Sequence, residues 1–588
     1  MNHRSFRSFL LPAVLVGAAL CTSSDRAEAC GGFFCSVQQP VNQAAERIIF
    51  ADNGDGTITA VIQIMYEGPS ESFSWLLPIS TVPQSGDLAV ASDQAFARLQ
   101  AATNPQYQLN TVFEGRCAQQ GFANSTAGAV AIAPPAEESC DQNALLAKCS
   151  PAVTLEASGV VGQFAWSAIS VDPAAADPAA PALEWLTQNG YDVTPEAAGL
   201  IGPYLADGMY LLALRLTKGS DIGSIRPLRL TYAAAAPMIP IKLTAVAANE
   251  DMGVMTWALS SARAVPFNYN ALELNEARIN WFNAVSNYDQ VVTEAADEAG
   301  GQGFVTEFAG PSGQLAQTVW TDSEEMDWQT AKTTTYFGFN EMFQAVYYRY
   351  QNWSGFWDAV RRVVVLPETV SFEDFKQCPG CFSQQLSFSP TEFFAALEAD
   401  VIEPMRSVQT LIDRTGYATR LYSTLSASEM ISDPVFVFNP DLPDVNNLHR
   451  ADRVVECGSG LSQGAAPWRI EFPQGSVIRG TAQTVGLWPA GVVEQPANFR
   501  VLSLSTSGEG RVVEDNASEI SLDLSRYNAS LPDPGSNGST SSMGNMSSRG
   551  GFCTLAAGPR PSRSALPLAV AVAGLLGAGA WRRRRSAR

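Results

Sequence analysis

Arg47-Ile48-Ile49-Phe50-Ala51-Asp52-Asn53-Gly54-Asp55-Gly56-Thr57-Ile58 sets two β-rich runs on either side of an Asn-Gly and an Asp-Gly pair. Gly and Asn tolerate the positive φ that a tight hairpin turn demands, so this stretch predicts two antiparallel strands. The returning strand alternates through Ile58, Ala60, Ile62 and Ile64, which places one apolar face against a core. A sheet with a buried face needs a covering layer, and the chain downstream has to supply it.

Working outward, further strands are predicted at 73–79, 107–113, 162–171, 209–216, 225–232, 238–247 and 254–259. Helical spacing interrupts them at 93–102 and over 183–205, the latter as two short helices divided at Asn189-Gly190. From about 271 helical spacing dominates, at 275–282, 288–299, 341–350, 391–402 and 408–425. A smaller β-rich piece runs from about 453 to 524, and its sequence leaves open whether it packs on the first part or stands alone. The fold class is α+β: a β-rich part over 30–270, a helix-rich part over 271–450 and a small β-rich region over 451–525. No repeat of 20 to 50 residues is visible, which excludes a solenoid or propeller reading.

Both ends carry signals of export and anchoring. Arg4 and Arg7 precede an apolar run over 9–20 and the small-residue stretch Ala27-Glu28-Ala29 before Cys30, which reads as a leader over 1–29 cleaved after Ala29. A transmembrane helix needs about 20 apolar residues, and this run is shorter and is followed by Asp25, Arg26 and Glu28. Glu28 also argues against a lipidated Cys30. Residues 526–552 are rich in Ser, Gly and Asn, the composition of a flexible stalk. Residues 565–581 then form an apolar stretch followed at once by Arg582, Arg583, Arg584 and Arg585. The positive-inside rule places those arginines in the cytoplasm and the preceding chain outside, in agreement with the leader.

The chain has 588 residues, 46% of them hydrophobic, with 12 Trp and 29 Phe, enough for more than one core. Its formal net charge is −21, and because the leader is net positive and residues 554–588 carry seven arginines and no acid, the part between is more acidic still. Such a surface repels nucleic acid, whose recognition depends on clustered Lys and Arg. Of ten cysteines, Cys21 leaves with the leader and Cys553 belongs to the tail. The remaining Cys30, Cys35, Cys117, Cys140, Cys149, Cys378, Cys381 and Cys457 predict up to four disulfides in an oxidising compartment. Cys30–Cys35 and Cys378–Cys381 are candidate short loops, but eight cysteines allow about 105 connectivities.

The residues restrict the chemistry. Of two histidines, His3 leaves with the leader and His449 stands alone, so a zinc site of the HExxH kind is excluded while a lone general base is not. Gly460-Leu461-Ser462-Gln463-Gly464 matches the nucleophile-elbow pattern, but that pattern needs a following helix and a later histidine. Cys378-Pro379-Gly380-Cys381 has the spacing of a redox dithiol, which works when the first thiolate sits at a helix N-terminus; in an exported protein a structural disulfide is the favoured reading. Glu324, Glu325 and Asp327, or Glu398, Asp400 and Glu403, offer paired carboxylates for glycoside hydrolysis. Asp52, Asn53 and Asp55 suggest calcium, but Gly54 and Gly56 stand where an EF-hand loop needs oxygen donors. No catalytic, cofactor-binding or metal-ligating residue is assigned.

Several motifs together resemble the bacterial family catalogued as domain of unknown function 2330. They are Ala29-Cys30-Gly31-Gly32-Phe33-Phe34-Cys35, Pro40-Val41-Asn42-Gln43-Ala44-Ala45-Glu46-Arg47-Ile48, Phe73-Ser74-Trp75-Leu76-Leu77-Pro78, Glu184-Trp185-Leu186, Leu214-Arg215-Leu216, Pro237-Met238-Ile239-Pro240 and Asp433-Pro434-Val435-Phe436. The resemblance spans roughly 30 to 450; it implies secretion and brings no known catalytic residues. Over 553–588, Gly551-Phe552-Cys553 followed by the apolar segment and arginines resembles a MYXO-CTERM sorting tail, which implies processing at Cys553 by a membrane protease and passage to the cell surface. A permanent single-pass anchor is the alternative. The functional expectation is therefore an exported, envelope-anchored protein acting by binding, adhesion or envelope structure. Its expected partners are the membrane, the export machinery and a sorting protease, with no nucleic acid and no cofactor. The alternatives are an exported thiol–disulfide oxidoreductase through Cys378 and Cys381, a carboxylate-based hydrolase, and calcium-dependent adhesion.

Overall fold

The structure, a computed structural model, describes residues 42–67, 74–117, 153–191, 197–216, 225–458, 461–481, 487–492 and 494–531. The leader with Ala29, Cys30, Cys35, Cys140, Cys149, the stalk beyond 531, Cys553 and segment 565–581 lie outside the described residues. Among the described residues no helix is long and apolar enough to cross a membrane.

The opening hairpin forms as its turn chemistry dictates. β1 (Asn42–Asp52) and β2 (Thr57–Glu67) pair antiparallel with Asp52 opposite Ile58. Gly54 and Gly56 adopt φ of +74° and +87°, values that a side chain would strain. The Gly54 N–H donates to Asp52 Oδ1 at 2.9 Å, and the Thr57 N–H donates to Asp55 Oδ1 at 3.0 Å. Both carboxylates therefore serve the turn.

In chain order there follow β3 (Ser74–Ile79), β4 (Leu88–Val90), α1 (Asp93–Thr103), β5 (Gln106–Gly115), β6 (Val153–Val161), β7 (Phe164–Val171), α2 (Ala179–Gln188), α3 (Ala197–Ala206), β8 (Tyr210–Leu216), β9 (Leu228–Ala233), α4 (Ile241–Thr244), β10 (Ala248–Ser260), β11 (Arg263–Pro266), β12 (Asn270–Leu274), α5 (Tyr288–Glu298) and β13 (Gly303–Pro311). The helical middle contains α6 (Asp322–Thr333), α7 (Phe339–Tyr350), α8 (Phe356–Val363), α9 (Phe372–Gln377), α10 (Pro390–Leu397) and α11 (Glu403–Arg414). The remainder is β14 (Tyr417–Leu425), β15 (Phe436–Asn439), β16 (Leu448–Cys457), β17 (Trp468–Glu471), β18 (Val477–Gly480), β19 (Asn498–Ser503), β20 (Arg511–Asp515) and α12 (Ala517–Ser530).

Among the described residues, ten strands form one sheet in the order β20-β19-β12-β13-β14-β10-β1-β2-β9-β4. Its centre is buried on both faces. Ile49, Ala51, Val61, Trp257 and Leu259 face the helical layer, where Phe339, Phe343, Phe356, Phe375 and Phe393 fill one aromatic core. Ile48, Phe50, Ile58, Ala60, Ile62 and Ile64 face the opposite way, onto Trp75, Leu77, Phe164, Leu212 and Leu214. Those residues belong to a four-stranded sheet, β3-β8-β7-β6, whose outer face is covered by α2 and α3 through Trp185, Leu186, Ile201 and Leu205. Each such side chain contributes about 1.5–3 kcal/mol on full burial, so this central stack is where the fold gains most of its hydrophobic stabilisation.

The α+β class and the β-rich start with a helical middle hold, while several elements differ from expectation: β6, α6 and α8 were not expected, and α12 runs from the expected β-rich region past 525 into the first residues of the expected stalk. The strand expected at 238–247 is a single bridge, Met238 to Val435, followed by the short helix α4; Pro237 and Pro240 have no N–H to give a ladder. The helix expected at 275–282 is a turn, because Asn275 Oδ1 accepts from the Ala277 N–H at 3.1 Å and Asn280 Oδ1 from the Phe282 N–H at 3.1 Å, side-chain bonds that compete with the helical ladder. The helix expected at 408–425 is α11 followed, after Thr415 and Gly416, by the strand β14. β14 is buried along nearly its whole length, so it shows no alternation to separate it from a buried helix. Strand β13 was also not expected.

The region beyond 453 does not stand apart. β16 pairs in parallel with β5 from Leu448 opposite Gln106 to Cys457 opposite Gly115, and β19 joins the ten-stranded sheet beside β12. β18-β17-β16-β5 form a second four-stranded sheet. Its core, with Trp468, Ile470 and Ile478, is shared with α5 and α12 through Val291, Val292, Ile520 and Leu524.

Candidate functional site

A largely buried polar network lies where the ten-stranded sheet meets the sheet of β5 and β16. Parallel register sets Tyr107 beside His449, and their rings stack with centroids 4.6 Å apart and 11° between planes. The turn after β12 brings Glu276 against the imidazole, with Oε1 2.8 Å from Nδ1. In the neutral imidazole, a proton on Nδ1 facing Glu276 leaves Nε2 as the acceptor. The Trp281 ring meets Tyr107 edge-on at 4.9 Å, and the Tyr288 ring lies 6.1 Å from Tyr107.

Tyr288 opens α5 and continues the network inward, its hydroxyl donating to Glu307 Oε1 at 2.7 Å. Glu307 is the extra residue of a bulge in β13, where the register with β14 shifts between Thr306 and Phe308; a bulge re-aims a side chain that a regular strand would direct elsewhere. Its Oε2 lies 2.6 Å from Arg420 Nε, and the two side chains are 1% and 2% exposed. Arg420 Nη1 also donates to Asn104 Oδ1 at 2.7 Å and to Thr103 Oγ1 at 3.2 Å, and the guanidinium lies over Trp257. Burial pushes the Glu307 carboxyl above its ordinary range against the pull of Arg420. Burial, reinforced by neighbouring carboxylates, also pushes the Tyr107 and Tyr288 phenols far up, so both stay neutral hydroxyls.

The same segment lines a half-open cavity of about 190 Å³, with Arg278, Asn280, Ser286, Asn287, Gln290, Val291 and Trp488 around it. Trp488 is fixed by a hydrogen bond from Nε1 to the Ala277 carbonyl at 3.1 Å and by an edge contact to Phe282. The Arg278 guanidinium pairs with Glu294 and donates to the Gln495 carbonyl at 2.9 Å.

His449 is thus joined to a carboxylate rather than alone, but the groups that bond to or stack on its ring are Glu276 and the neutral Tyr107. Ser462 lies beyond the far end of β16, about 26 Å along the strand from His449 at about 3.3 Å per residue. Turn bonds follow it, from the Ala465 and Ala466 N–H groups to its carbonyl, in place of the helix an elbow needs. Cys378 and Cys381 are disulfide-bonded and exposed. Cys378 ends α9 and begins the 3₁₀ turn Pro379–Phe382, so its sulfur sits between two opposed helix ends rather than at the start of an α-helix.

The two acid clusters are brought together, though by cations. Arg406 binds Glu325 at 2.9 Å, Glu398 at 3.3 Å and Glu403 at 3.5 Å. Glu324 pairs with Arg98 at 2.7 Å, Asp327 with Arg349 at 2.6 Å and Asp400 with Arg362 at 2.8 Å. Among the described residues no group of three or more His, Cys, Asp and Glu is placed to hold a metal ion. Cys117 is disulfide-bonded to Cys457 across 340 residues, tying the ends of β5 and β16. Sequence reading missed Glu276, Tyr107, Tyr288, Glu307 and Arg420; the available signal was a lone charge inside each of two apolar runs, Phe304-Val305-Thr306-Glu307-Phe308 and Ala418-Thr419-Arg420-Leu421.

No curated protein and no solved structure matches the chain. A family model does: that of an uncharacterized protein conserved in bacteria, DUF2330, matches residues 24–324, which is just over half of the chain and stops short of the Asp433-Pro434-Val435-Phe436 motif. The matched span includes the hairpin, the central strands and the Glu276–Glu307 part of the polar cluster. The chain therefore belongs to the DUF2330 family of bacterial proteins.

Proposed function

We propose that this protein is an exported, envelope-anchored binding protein whose cross-braced body presents the 275–290 segment to a ligand. The observation that carries the reading is the Cys117–Cys457 bridge, since a disulfide joining adjacent strands from distant parts of a chain persists in an oxidising compartment. The leader over 1–29 and the apolar segment 565–581 with its arginines support the same placement. In this reading the tail is a sorting signal processed at Cys553, and the partners are the export machinery, a membrane protease and the membrane itself. The acidic body disfavours nucleic acid as a partner. Binding is favoured over hydrolysis because the acids of the two clusters are held in ion pairs with arginine and lysine, which commits them to structure.

The exposure of both Cys378 and Cys381 favours a second reading, thiol–disulfide exchange, against which stands the position of Cys378 at the end of α9 with only a four-residue 3₁₀ turn after it. Intact mass of the protein from fractionated cells, after alkylation without reduction, tests the proposal. A chain in the envelope fraction that begins at Cys30, ends near Cys553 and carries no label supports it. A full-length cytosolic chain with Cys117 and Cys457 alkylated overturns it, and an envelope chain labelled at Cys378 and Cys381 alone moves the exchange reading to the front.

A further inference from the structure

We infer that the cavity beside the 275–290 segment binds a single neutral pyranose unit, a deepening of the binding reading above. Its volume, about 190 Å³, equals that of about six liquid waters at about 30 Å³ each, the scale of one sugar ring rather than of a nucleotide or peptide. The chemistry of the lining matches. Trp488, held by its Nε1 bond and by Phe282, offers an indole on which the apolar C–H face of a sugar can rest. Around it stand three planar amides with unspent capacity. Each amide NH₂ carries two donors, yet Asn280 Nδ2 donates to Ser286 Oγ, Asn287 Nδ2 to the Arg278 carbonyl and Gln290 Nε2 to Glu294 Oε1, one bond apiece. Among the described residues one N–H remains without a partner on each, together with the Gln290 carbonyl, as donors and acceptors for ring hydroxyls.

Charge decides between sugar classes. The buried Arg278 guanidinium is met by Glu294 and by the Gln495 carbonyl, so it has no uncompensated charge for an acidic sugar. The ligand is a neutral hexose or N-acetylhexosamine, either free or at the end of an envelope polysaccharide.

Saturation-transfer NMR on the full chain, in a detergent without a sugar headgroup, tests this with glucose, galactose, mannose, N-acetylglucosamine, their methyl glycosides and glucuronate. Transfer to ring C–H protons of at least one neutral sugar is expected, with a Kd on the order of 1 mM for so small a ligand. A response to methyl glycosides marks the end of a glycan as the source, and a response to reducing sugars alone marks the free monosaccharide; both support the site. Trp488→Leu is expected to abolish the transfer. Gln290→Ala, at an exposed residue whose one side-chain bond lies within its own helix, is expected to weaken binding about fivefold, the worth of one hydrogen bond. No transfer from any neutral sugar, tighter binding of glucuronate, or unchanged affinity in both folded variants overturns the inference. Failure here leaves the mass and fractionation result untouched, whereas a cytosolic chain that still binds the sugar sinks only the export reading.

Discussion

Replacing Arg420 by Met strands Glu307 in the deepest part of the polar network. Arg420 Nε lies 2.6 Å from Glu307 with both side chains almost fully buried, and its Nη1 serves Asn104 and Thr103. Removing one partner of such a pair costs about 3–5 kcal/mol, because a charge is left without compensation. Replacing both, Arg420→Met with Glu307→Leu, removes the charge but still orphans the Tyr288 hydroxyl and Asn104 Oδ1. The double variant is therefore expected to lose about 2 kcal/mol less than the sum of the single losses, without returning to wild type. Urea unfolding followed by far-UV circular dichroism, run as a double-mutant cycle, measures the coupling.

Acidity supplies an independent sign. Burial already raises the Glu307 pKa in the folded protein, and without Arg420 it rises further. A carboxyl held above its unfolded pKa destabilises the fold at pH above the folded value, and the penalty is relieved as pH falls through that value. The Arg420→Met deficit should accordingly shrink between neutral pH and the ordinary carboxylate range. Single variants within about 1 kcal/mol of wild type, a cycle that is additive, or a deficit that grows on acidification would refute the reasoning.

Three other outcomes are expected. Glu324, Glu325 and Glu398 lose some affinity for charge to burial, but the hydrogen bonds from Arg98, Gln329, Lys332 and their other partners outweigh it and hold all three carboxyls below their ordinary range. Their contribution is present above the unfolded value near 4.5 and lost as pH falls through the depressed folded values, so near-UV ellipticity of the helical layer should fall below about pH 4.5. Cys117→Ser with Cys457→Ser should cost about 2–4 kcal/mol by loss of a long cross-link, read as a lower urea midpoint that matches wild type under reductant; an unchanged midpoint contradicts it. Gly480→Ala places a Cβ 2.1 Å from the Trp468 ring, and the overpacking should cost about 1–3 kcal/mol, read as a lower melting temperature.

How much of this was legible depended on range. The hairpin at Asn53-Gly54-Asp55-Gly56 was, because positive φ at two glycines is a local demand. So was the boundary between α2 and α3, whereas the start of α6 was not read, although Thr321 and Glu324 form a reciprocal cap there. β14 was not, since burial on both faces erases alternation. The turn at 275–283 was not, because its apolar spacing suits a helix while Asn275 and Asn280 bond the backbone instead. His449 stood out as a candidate from its isolation, yet its carboxylate partner lies 173 residues away in the chain.

By itself the sequence determined what neighbours along the chain enforce: turns, caps, amphipathic faces, an acidic composition and a set of cysteines awaiting partners. Only the tertiary structure decided that β5 runs beside β16, that Cys117 meets Cys457, that Arg406 gathers acids from α6 and from the turns before and at the start of α11, and that a bulge turns Glu307 onto Arg420. The physical reason is that such pairings depend on strand register and shared burial between distant segments, and neither leaves a period in the local sequence.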